Sequence, residues 1–170
     1  MNTFKGNKEA VSIPVWKIVR NGLATCVLWQ DHVPNPRFAF YDPDTPDNLL
    51  DDLIFDKETG LIWARDANLP GRTMTWQDAI DYCRGLTLGN RKGWRLPTVE
   101  ELSSLAHSSQ SNPALPSGHP FVNVQTYHYW SSTTYESRSD YAWYVGMSSG
   151  YVKYNPKSYN YHVWPVRGGK

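Results

Sequence analysis

The residues best suited to molecular recognition lie close together in the C-terminal part of this chain. Nine of its 11 tyrosines fall between residues 127 and 161, with serine, asparagine and glycine between them. A tyrosine ring offers a large amphipathic contact at low entropy cost, and serine and asparagine add adaptable hydrogen bonds. The composition therefore predicts noncovalent ligand binding. The residues expected to contact a ligand are Tyr135, Arg138, Tyr151, Lys153, Tyr154, Asn155, Lys157, Tyr159 and Asn160.

Residue patterns typical of catalysis or metal binding are weak by comparison. No Ser-His-Asp order and no paired carboxylates suggest nucleophilic or acid–base catalysis. Cysteine and histidine show no zinc-binding spacing. We read His107 and His119 as surface residues, because they lie in a polar segment without acidic or thiol neighbours at a useful spacing. We therefore expect a protein that is not an enzyme and holds no metal or other cofactor.

Overall composition limits the classes of partner. The net charge is +1, so no strong basic field for nucleic acid or an anionic membrane is present. No apolar run approaches the roughly 20 residues of a membrane span, and the N-terminus lacks the apolar run of a signal peptide. The two cysteines, Cys26 and Cys83, could pair, but two partly hydrophobic free thiols are the favoured reading.

Two short amphipathic helices are predicted before the tyrosine-rich segment. In the stretch GWRLPTVEELSSL, Thr98 and Glu101 have the spacing of a capping box. A second helix is predicted to begin after Thr75, where Trp76, Ala79, Ile80 and Cys83 follow a helical period. Residues 53–55 and 61–64 read as short strands, and four more are predicted at residues 129–133, 140–147, 151–155 and 161–167. In the strand that contains them, Trp143 and Tyr144 point to opposite faces, which predicts a sheet with one packed side and one partly open side.

Residues 1–52 are predicted to form an N-terminal extension to a main domain at residues 53–170. After a loose arm at residues 1–10, Asn21-Gly22 between two β-rich runs predicts a hairpin, although a helix over residues 15–20 also fits. Four prolines lie within residues 31–52, and five aspartates crowd residues 42–52. A calcium loop is conceivable there, but the ligand spacing matches no derivable loop, and a solvated linker fits better. The extension could drive homo-oligomerisation or tether the domain to a larger particle.

Six motifs, in order, resemble the Lcl C-terminal domain family, named for the C-terminal domain of a collagen-like bacterial adhesin. They are TGLIWARD at 59–66, TWQDAIDYC at 75–83, GWRLPTVEEL at 93–102, YWSSTTY at 129–135, YAWYV at 141–145 and VWPVRGG at 163–169. The family is similar to C-type lectin-like and sulfatase-modifying-factor domains. The resemblance implies an α+β fold, with two helices packed on a small twisted antiparallel sheet and long irregular loops. Trp164 departs from it, because a polar or basic residue is expected there.

The resemblance does not fix a ligand. The Glu-Pro-Asn, Gln-Pro-Asp and Trp-Asn-Asp segments of calcium-dependent lectins are missing, and the cysteines are not in the C-terminal part where sulfatase-modifying enzymes need them. Tyr141 and Tyr144 lie inside a family motif and could simply pack.

Three functional hypotheses follow from the resemblance and the residues. First, some C-type lectin-like domains are variable proteins of diversity-generating retroelements, in which rewritten adenines turn Asn codons into Tyr, Ser, Asp or His codons. The C-terminal composition fits that process, and the ligand would then be a protein or glycan on a cell surface. Second, Arg138, Lys153, Lys157 and Arg167 could meet sulfates in a fixed glycan or glycosaminoglycan adhesin. Third, the chain could be a structural component. Family resemblance suggests a cell surface or a phage particle as the location, with neither nucleic-acid binding nor membrane insertion.

Overall fold

A computed structural model describes residues 15–18, 24–27, 35–41 and 52–169. The chain divides into two units, residues 1–32 and 33–170. In the first unit, β1 (Val15–Ile18) pairs antiparallel with β2 (Ala24–Val27), and Ile18 lies opposite Ala24. The predicted hairpin is confirmed and the helix alternative is wrong. The turn at Asn21-Gly22, the arm at residues 1–10 and the aspartates at 42–51 lie outside the described residues.

The second unit is an α+β domain with two helices, as predicted, but it contains two antiparallel sheets where a single small sheet was expected. A four-stranded sheet has the order β3-β4-β5-β9, and a three-stranded sheet has the order β6-β7-β8. The elements of this unit are β3 (Phe38–Phe40), β4 (Leu53–Asp56), β5 (Leu61–Ala64), α1 (Trp76–Gly85), α2 (Val99–Ser104), β6 (His128–Thr134), β7 (Tyr141–Gly146), β8 (Tyr151–Pro156) and β9 (Val166–Arg167). No helix in the described part of the chain is long and apolar enough to cross a membrane.

Both helices begin where their capping residues predict. The Glu101 N–H donates to the Thr98 hydroxyl (3.2 Å), and the Thr98 N–H donates to the Glu101 carboxylate (2.8 Å), which completes the capping box of α2. The Asp78 N–H donates to the Thr75 hydroxyl (3.4 Å) at the start of α1. These bonds satisfy backbone donors that have no partner inside a helix.

The two helices cover opposite faces of the three-stranded sheet. Leu102 of α2 packs in one core cluster with Tyr129 of β6. Cys83 of α1, a buried free thiol, packs in another cluster with Trp130. Consecutive residues of a strand point to opposite faces, so the sheet is packed on both sides near β6. Its open part is therefore β8, at the far edge from β6.

The C-terminal segment differs from the strand predicted at residues 161–167. Only Val166 and Arg167 form a strand, and it pairs with β5 in the other sheet. Trp164 is fully buried, and its indole N–H donates to the Ala64 carbonyl (2.9 Å). Its ring centroid lies 4.8 Å from that of Phe121. An aromatic core position suits tryptophan, which explains why this position departs from the polar or basic residue expected there.

Residues 35–41 belong to the domain core, so the prediction of a solvated linker over residues 31–52 is wrong for them. Phe38 is buried and lies opposite Asp56 in the β3–β4 pair. Arg37 donates two hydrogen bonds to the fully buried Asp56 carboxylate (2.9 and 2.6 Å) and a third to the Ser104 carbonyl (2.7 Å). Burial alone would raise the pKa of Asp56, but the hydrogen bonds from Arg37 and Thr59 outweigh it and lower the pKa.

Candidate functional site

β8 presents alternate side chains on the two faces of the three-stranded sheet. In the β7–β8 register, Trp143 lies opposite Tyr154, and Tyr144 lies opposite Lys153. Tyr154 and Lys153 therefore point to opposite faces. In the described part of the chain β8 is an outer strand, with a neighbouring strand, β7, on only one side. A ligand at this edge could contact both faces at once.

The first face, here called the stacked-ring face, consists of Tyr135, Tyr141, Trp143 and Tyr154. The Tyr135 and Tyr154 rings are stacked with centroids 3.9 Å apart. Trp143 meets both rings edge-on, at 5.4 and 5.2 Å, and Tyr141 lies 6.1 Å from Tyr154. Tyr154 is 41% exposed, and the other three rings are partly exposed. Mutual contacts thus fix a set of rings that solvent can still reach.

Polar groups border the stacked-ring face. The Arg138 guanidinium lies 4.0 Å from the Tyr141 ring centroid and pairs with Asp140 (3.2 Å), with both charged groups exposed. Interaction with the neighbouring Tyr135 hydroxyl raises the pKa of Tyr154. Tyr154 therefore stays a neutral phenol, able to donate a hydrogen bond, over a wider pH range than a free tyrosine.

The second face, here called the tyrosine–histidine face, lies on the α1 side of the sheet. Tyr127 stacks on His128 with centroids 4.0 Å apart, and the His128 Nε2 lies 2.5 Å from the Tyr151 hydroxyl. Tyr127 and Tyr159 are 54% and 53% exposed. The members of this face are Tyr127, His128, Tyr144, Tyr151, Tyr159 and Tyr161.

The buried members of this face support the exposed ones. Tyr144 and Tyr161 are almost fully buried, with centroids 4.9 Å apart. Burial and neighbouring phenols raise the pKa of Tyr144 to about 12. The Asn155 amide donates to the Tyr161 hydroxyl (2.5 Å), which fixes the amide orientation. The alternative that tyrosines inside the family motifs simply pack is correct for Tyr144, whereas Tyr141 is partly exposed.

His128 is the titratable group at the centre of this face. Burial, and then the nearby His162 and Lys153, lower its pKa. Its Nδ1 atom is buried and has no hydrogen-bond partner. Burial also lowers the pKa of His162, whose Nδ1 lies 3.2 Å from the Asn68 amide oxygen. Both imidazoles therefore favour the neutral form, as a surface of ring contacts requires.

Two lysines predicted to bind ligand differ in how available they are. The exposed Lys153 ammonium lies 5.5 Å from the Tyr151 ring centroid and has no ion pair with any described residue. Lys157 lies 3.9 Å from the Trp76 ring centroid and donates to the Thr134 hydroxyl and the Ser139 carbonyl, both at 2.9 Å. Burial lowers the pKa of Lys157. Lys157 thus fastens β8 to its neighbours, and Lys153 is the cation open to a ligand.

The nine predicted contact residues are divided by β8 rather than gathered on one surface. Tyr135, Arg138 and Tyr154 lie on the stacked-ring side, and none of the nine is fully buried. On the other side are Tyr151, Lys153, Asn155 and Lys157, followed by Tyr159 and Asn160 in the next turn. The sequence analysis missed Trp143, Tyr127 and His128 as members of these surfaces. Strand alternation alone could have identified Trp143 as the neighbour of Tyr154.

Other parts of the described chain offer less for binding. No group of three or more His, Cys, Asp or Glu side chains among the described residues is placed to hold a metal ion. A shallow depression of about 170 Å³ is lined by none of the nine predicted residues. Its lining residues are Ile80, Arg84, Trp94, Arg95, Leu96 and Ser132. The geometry around β8 is therefore the best-formed candidate, and its chemistry is ring contact, hydrogen bonding and one open ammonium.

Comparison with known proteins identifies a family for this chain. A family model described as the Lcl C-terminal domain matches residues 52–167, which is more than half of the chain. The match runs from the residue before β4 to the end of β9. No curated protein matches the sequence.

Proposed function

The chain belongs to the Lcl C-terminal domain family, and from this membership we propose that it is a non-catalytic module that binds a protein or glycan on a cell surface. The ligand would dock at β8, across the stacked-ring face and the tyrosine–histidine face. We also propose that the frame is C-type lectin-like. Two short helices, a small antiparallel sheet and the irregular stretch between Ala106 and Tyr127 support that proposal.

The observation that carries the binding proposal is the exposure of supported rings on both sides of one outer strand. Tyr154 on one face and Tyr159 on the other are about half exposed; Tyr154 stacks on Tyr135, and the Tyr159 ring lies 6.2 Å from that of Tyr161. A ring that is already held loses little conformational entropy when a ligand covers it. Tyrosine pairs this rigidity with a hydroxyl that can select a polar partner.

Sulfated glycan is the less favoured ligand class, because the four cationic residues expected to bind sulfate are not all available on one surface. Arg138 pairs with Asp140, and Lys157 is held by internal hydrogen bonds. Arg167 lies on β9 in the other sheet. Of these four cations, Lys153 alone is both exposed and without an ion pair to a described residue, and a single ammonium supports a weak, salt-sensitive sulfate contact.

The contact positions are also suited to sequence variation. All nine predicted contact residues are at least partly exposed, whereas the residues between the sheets and helices, such as Trp130 and Trp164, are fully buried. Exchanging exposed residues leaves the core unchanged. We propose that this gene is diversified at its 3′ end. A near-identical repeat of that coding segment beside a reverse-transcriptase gene would support the proposal, and a lone gene would contradict it.

Binding should be tested with the full chain on arrays of cell-surface proteins and glycans. We expect a ligand whose binding is lost in Tyr154→Ala and Tyr159→Ala but retained in Lys92→Ala, which changes an exposed residue of another loop. A ligand bound equally by all three variants would contradict the proposed site. Deleting residues 1–52 and measuring the mass in solution would test whether that segment drives oligomerisation.

A further inference from the structure

The outer edge of β8 presents free backbone groups at two defined positions. The Lys157 N–H donates to the Asp140 carbonyl (2.9 Å), so residues 140 and 157 form a hydrogen-bonded pair that continues the β7–β8 ladder. Residues 153 and 155 then exchange hydrogen bonds with β7, because bonded and non-bonded pairs alternate in an antiparallel ladder. The N–H and C=O groups of Val152 and Tyr154 therefore point away from β7.

Nothing in the described part of the chain covers these groups. β8 is an outer strand of its sheet, and no described backbone group bonds to the outward side of Val152 or Tyr154. The strand ends at Pro156, which lacks an N–H and so marks the limit of the edge. By contrast, the outer edge of β6 is occupied, because the His162 N–H donates to the His128 carbonyl (2.9 Å). The free edge of the three-stranded sheet is thus confined to β8.

We propose that β8 binds an extended peptide segment of a partner protein as an added antiparallel strand, with an acidic residue of that segment opposite Lys153. This deepens the proposed function by naming a protein as the ligand and the β8 edge as its point of attachment. Strand addition gives affinity through main-chain hydrogen bonds and specificity through alternate side chains.

The side chains of β8 define what the added strand must contain. Lys153 is exposed and has no ion pair with a described residue, and opposite charges directly across two strands stabilise their pairing. On the other face, Val152 and Tyr154 are 39% and 41% exposed. The residues flanking the acid are therefore apolar, so that they pack on these two side chains. The expected core of the peptide is apolar–acidic–apolar.

Pairing of β8 with a second copy of itself is less favourable in each register. Centred on Lys153, it places two ammonium groups opposite each other. Centred on Val152, it places Tyr154 opposite Gly150, whose N–H already donates to the Gly146 carbonyl (2.8 Å). If Tyr154 lay opposite the Tyr154 of the second copy, Val152 would lie opposite Pro156. Because proline has no N–H, each of the two Val152–Pro156 pairs would lose one hydrogen bond.

The full chain, labelled with ¹⁵N, should be titrated with capped pentapeptides of sequence Thr-Val-Glu-Val-Thr and Thr-Val-Lys-Val-Thr. We expect the glutamate peptide to shift the Val152 and Tyr154 amide signals and slow their hydrogen exchange, with at least a several-fold lower Kd than the lysine peptide. In Lys153→Glu the order of the two peptides should reverse. N-methylation of the two peptide valines should abolish binding, whereas N-methylation of its glutamate, whose N–H faces away from β8, should not.

Val152→Pro removes one outward donor and leaves the bonds to β7 intact, so it should weaken binding of the glutamate peptide. If this variant does not fold, Lys153→Glu and the methylated peptides still test whether the peptide binds β8 as an added strand. The proposal is overturned if the two amides do not respond to millimolar peptide, or if the charge exchange leaves the order unchanged. Peptide-free shifts of these amides that depend on protein concentration would indicate self-pairing and would also overturn it. Failure of the proposed function appears separately, as array binding that is insensitive to Tyr154→Ala.

Discussion

The rings of Tyr135 and Tyr154 lie nearly parallel, with an interplanar angle of 5°, although one follows β6 and the other belongs to β8. β7 runs between these strands, and its Trp143 meets both rings edge-on. The pair thus spans the width of the sheet, and it couples the position of the outer strand to the end of β6.

Replacement of Tyr135 by phenylalanine should return the pKa of Tyr154 towards that of a free tyrosine. The interaction with the Tyr135 hydroxyl is the largest cause of the raised pKa, and the variant removes that hydroxyl. A spectrophotometric titration of phenolate formation measures the shift, and Tyr159→Phe is the matched control because Tyr159 lies on the other side of β8. An unchanged titration in Tyr135→Phe would show that the two hydroxyls do not interact.

Trp164→Ala should lower the free energy of unfolding by about 3–5 kcal/mol, which is typical when a large buried aromatic side chain is removed. The variant also leaves the Ala64 carbonyl without its indole donor. Urea denaturation measures the loss, with Trp143→Ala as the control, because Trp143 is partly exposed and should lose clearly less. Equal losses in the two variants would argue against the central place of Trp164 in the core.

Arg37→Ala should lower the free energy of unfolding by about 3–5 kcal/mol, because it leaves the buried Asp56 carboxylate without its charged partner. The exposed pair Arg138–Asp140 is the control, and Arg138→Ala should cost at most about 1 kcal/mol. Chemical denaturation compares the two.

The same reasoning predicts that a chain of residues 33–170 is more stable than one of residues 53–170. If the shorter chain is equally stable, residues 35–41 contribute nothing to the fold.

Stability should fall as the pH drops below about 6.5, the ordinary pKa of histidine. Burial lowers the pKa values of His119, His128 and His162, so the unfolded chain takes up protons before the folded chain does. By linkage, stability rises with pH wherever the unfolded state binds more protons. Thermal unfolding from about pH 7.5 down to about pH 5 measures this loss.

Replacement of His128 by glutamine should make stability depend less steeply on pH over this range, since one of the three histidines no longer titrates. A profile as steep as that of the unchanged chain would exclude His128 as a source of the effect. A second loss should begin below about pH 4.5. There, Asp56 and Glu101 become protonated first in the unfolded chain, because hydrogen bonds from Arg37 and Arg95 outweigh their burial and lower their folded-state pKa values.

The sequence predicted the two helices and the strands at residues 140–147 and 151–155 well, because their signals are local. The bonds that begin α2 join residues only three apart. The turn between β7 and β8 is likewise contained in a few residues. By contrast, the partner of Trp164 is Ala64, 100 residues away. Whether an apolar segment becomes a strand or an irregular core segment depends on such distant partners, which periodicity does not reveal.

The N-terminal strand of the domain was missed for a similar reason. Phe38, Ala39 and Phe40 form a short apolar run among prolines, and on local evidence alone they belong to a loop. Their pairing depends on β4, and the two-pronged contact of Arg37 depends on a buried carboxylate 19 residues further on. Nothing in residues 35–41 by themselves marks these positions as part of the sheet.

The candidate site was predicted in composition but not in arrangement. Tyrosine enrichment pointed to the segment that forms the two partly exposed ring faces, and strand alternation separates Lys153 from Tyr154 without a structure. The stacking of Tyr135 on Tyr154 could not be foreseen, because it crosses a strand and follows a shift in register between Trp130 and Thr134. The engagement of Lys157 with Trp76 of α1 depends on helix placement in the same way.

The pairing of β9 with β5 has a consequence for how a cell makes this domain. Leu61 to Ala64 are synthesised before their neighbour in the sheet, which is encoded about a hundred codons later. Until residue 167 has been synthesised, one side of β5 and the aromatic rings beneath it have no covering strand. Completion of the core therefore has to wait for nearly the whole domain, and until then the partly synthesised domain exposes apolar surface that is prone to aggregate.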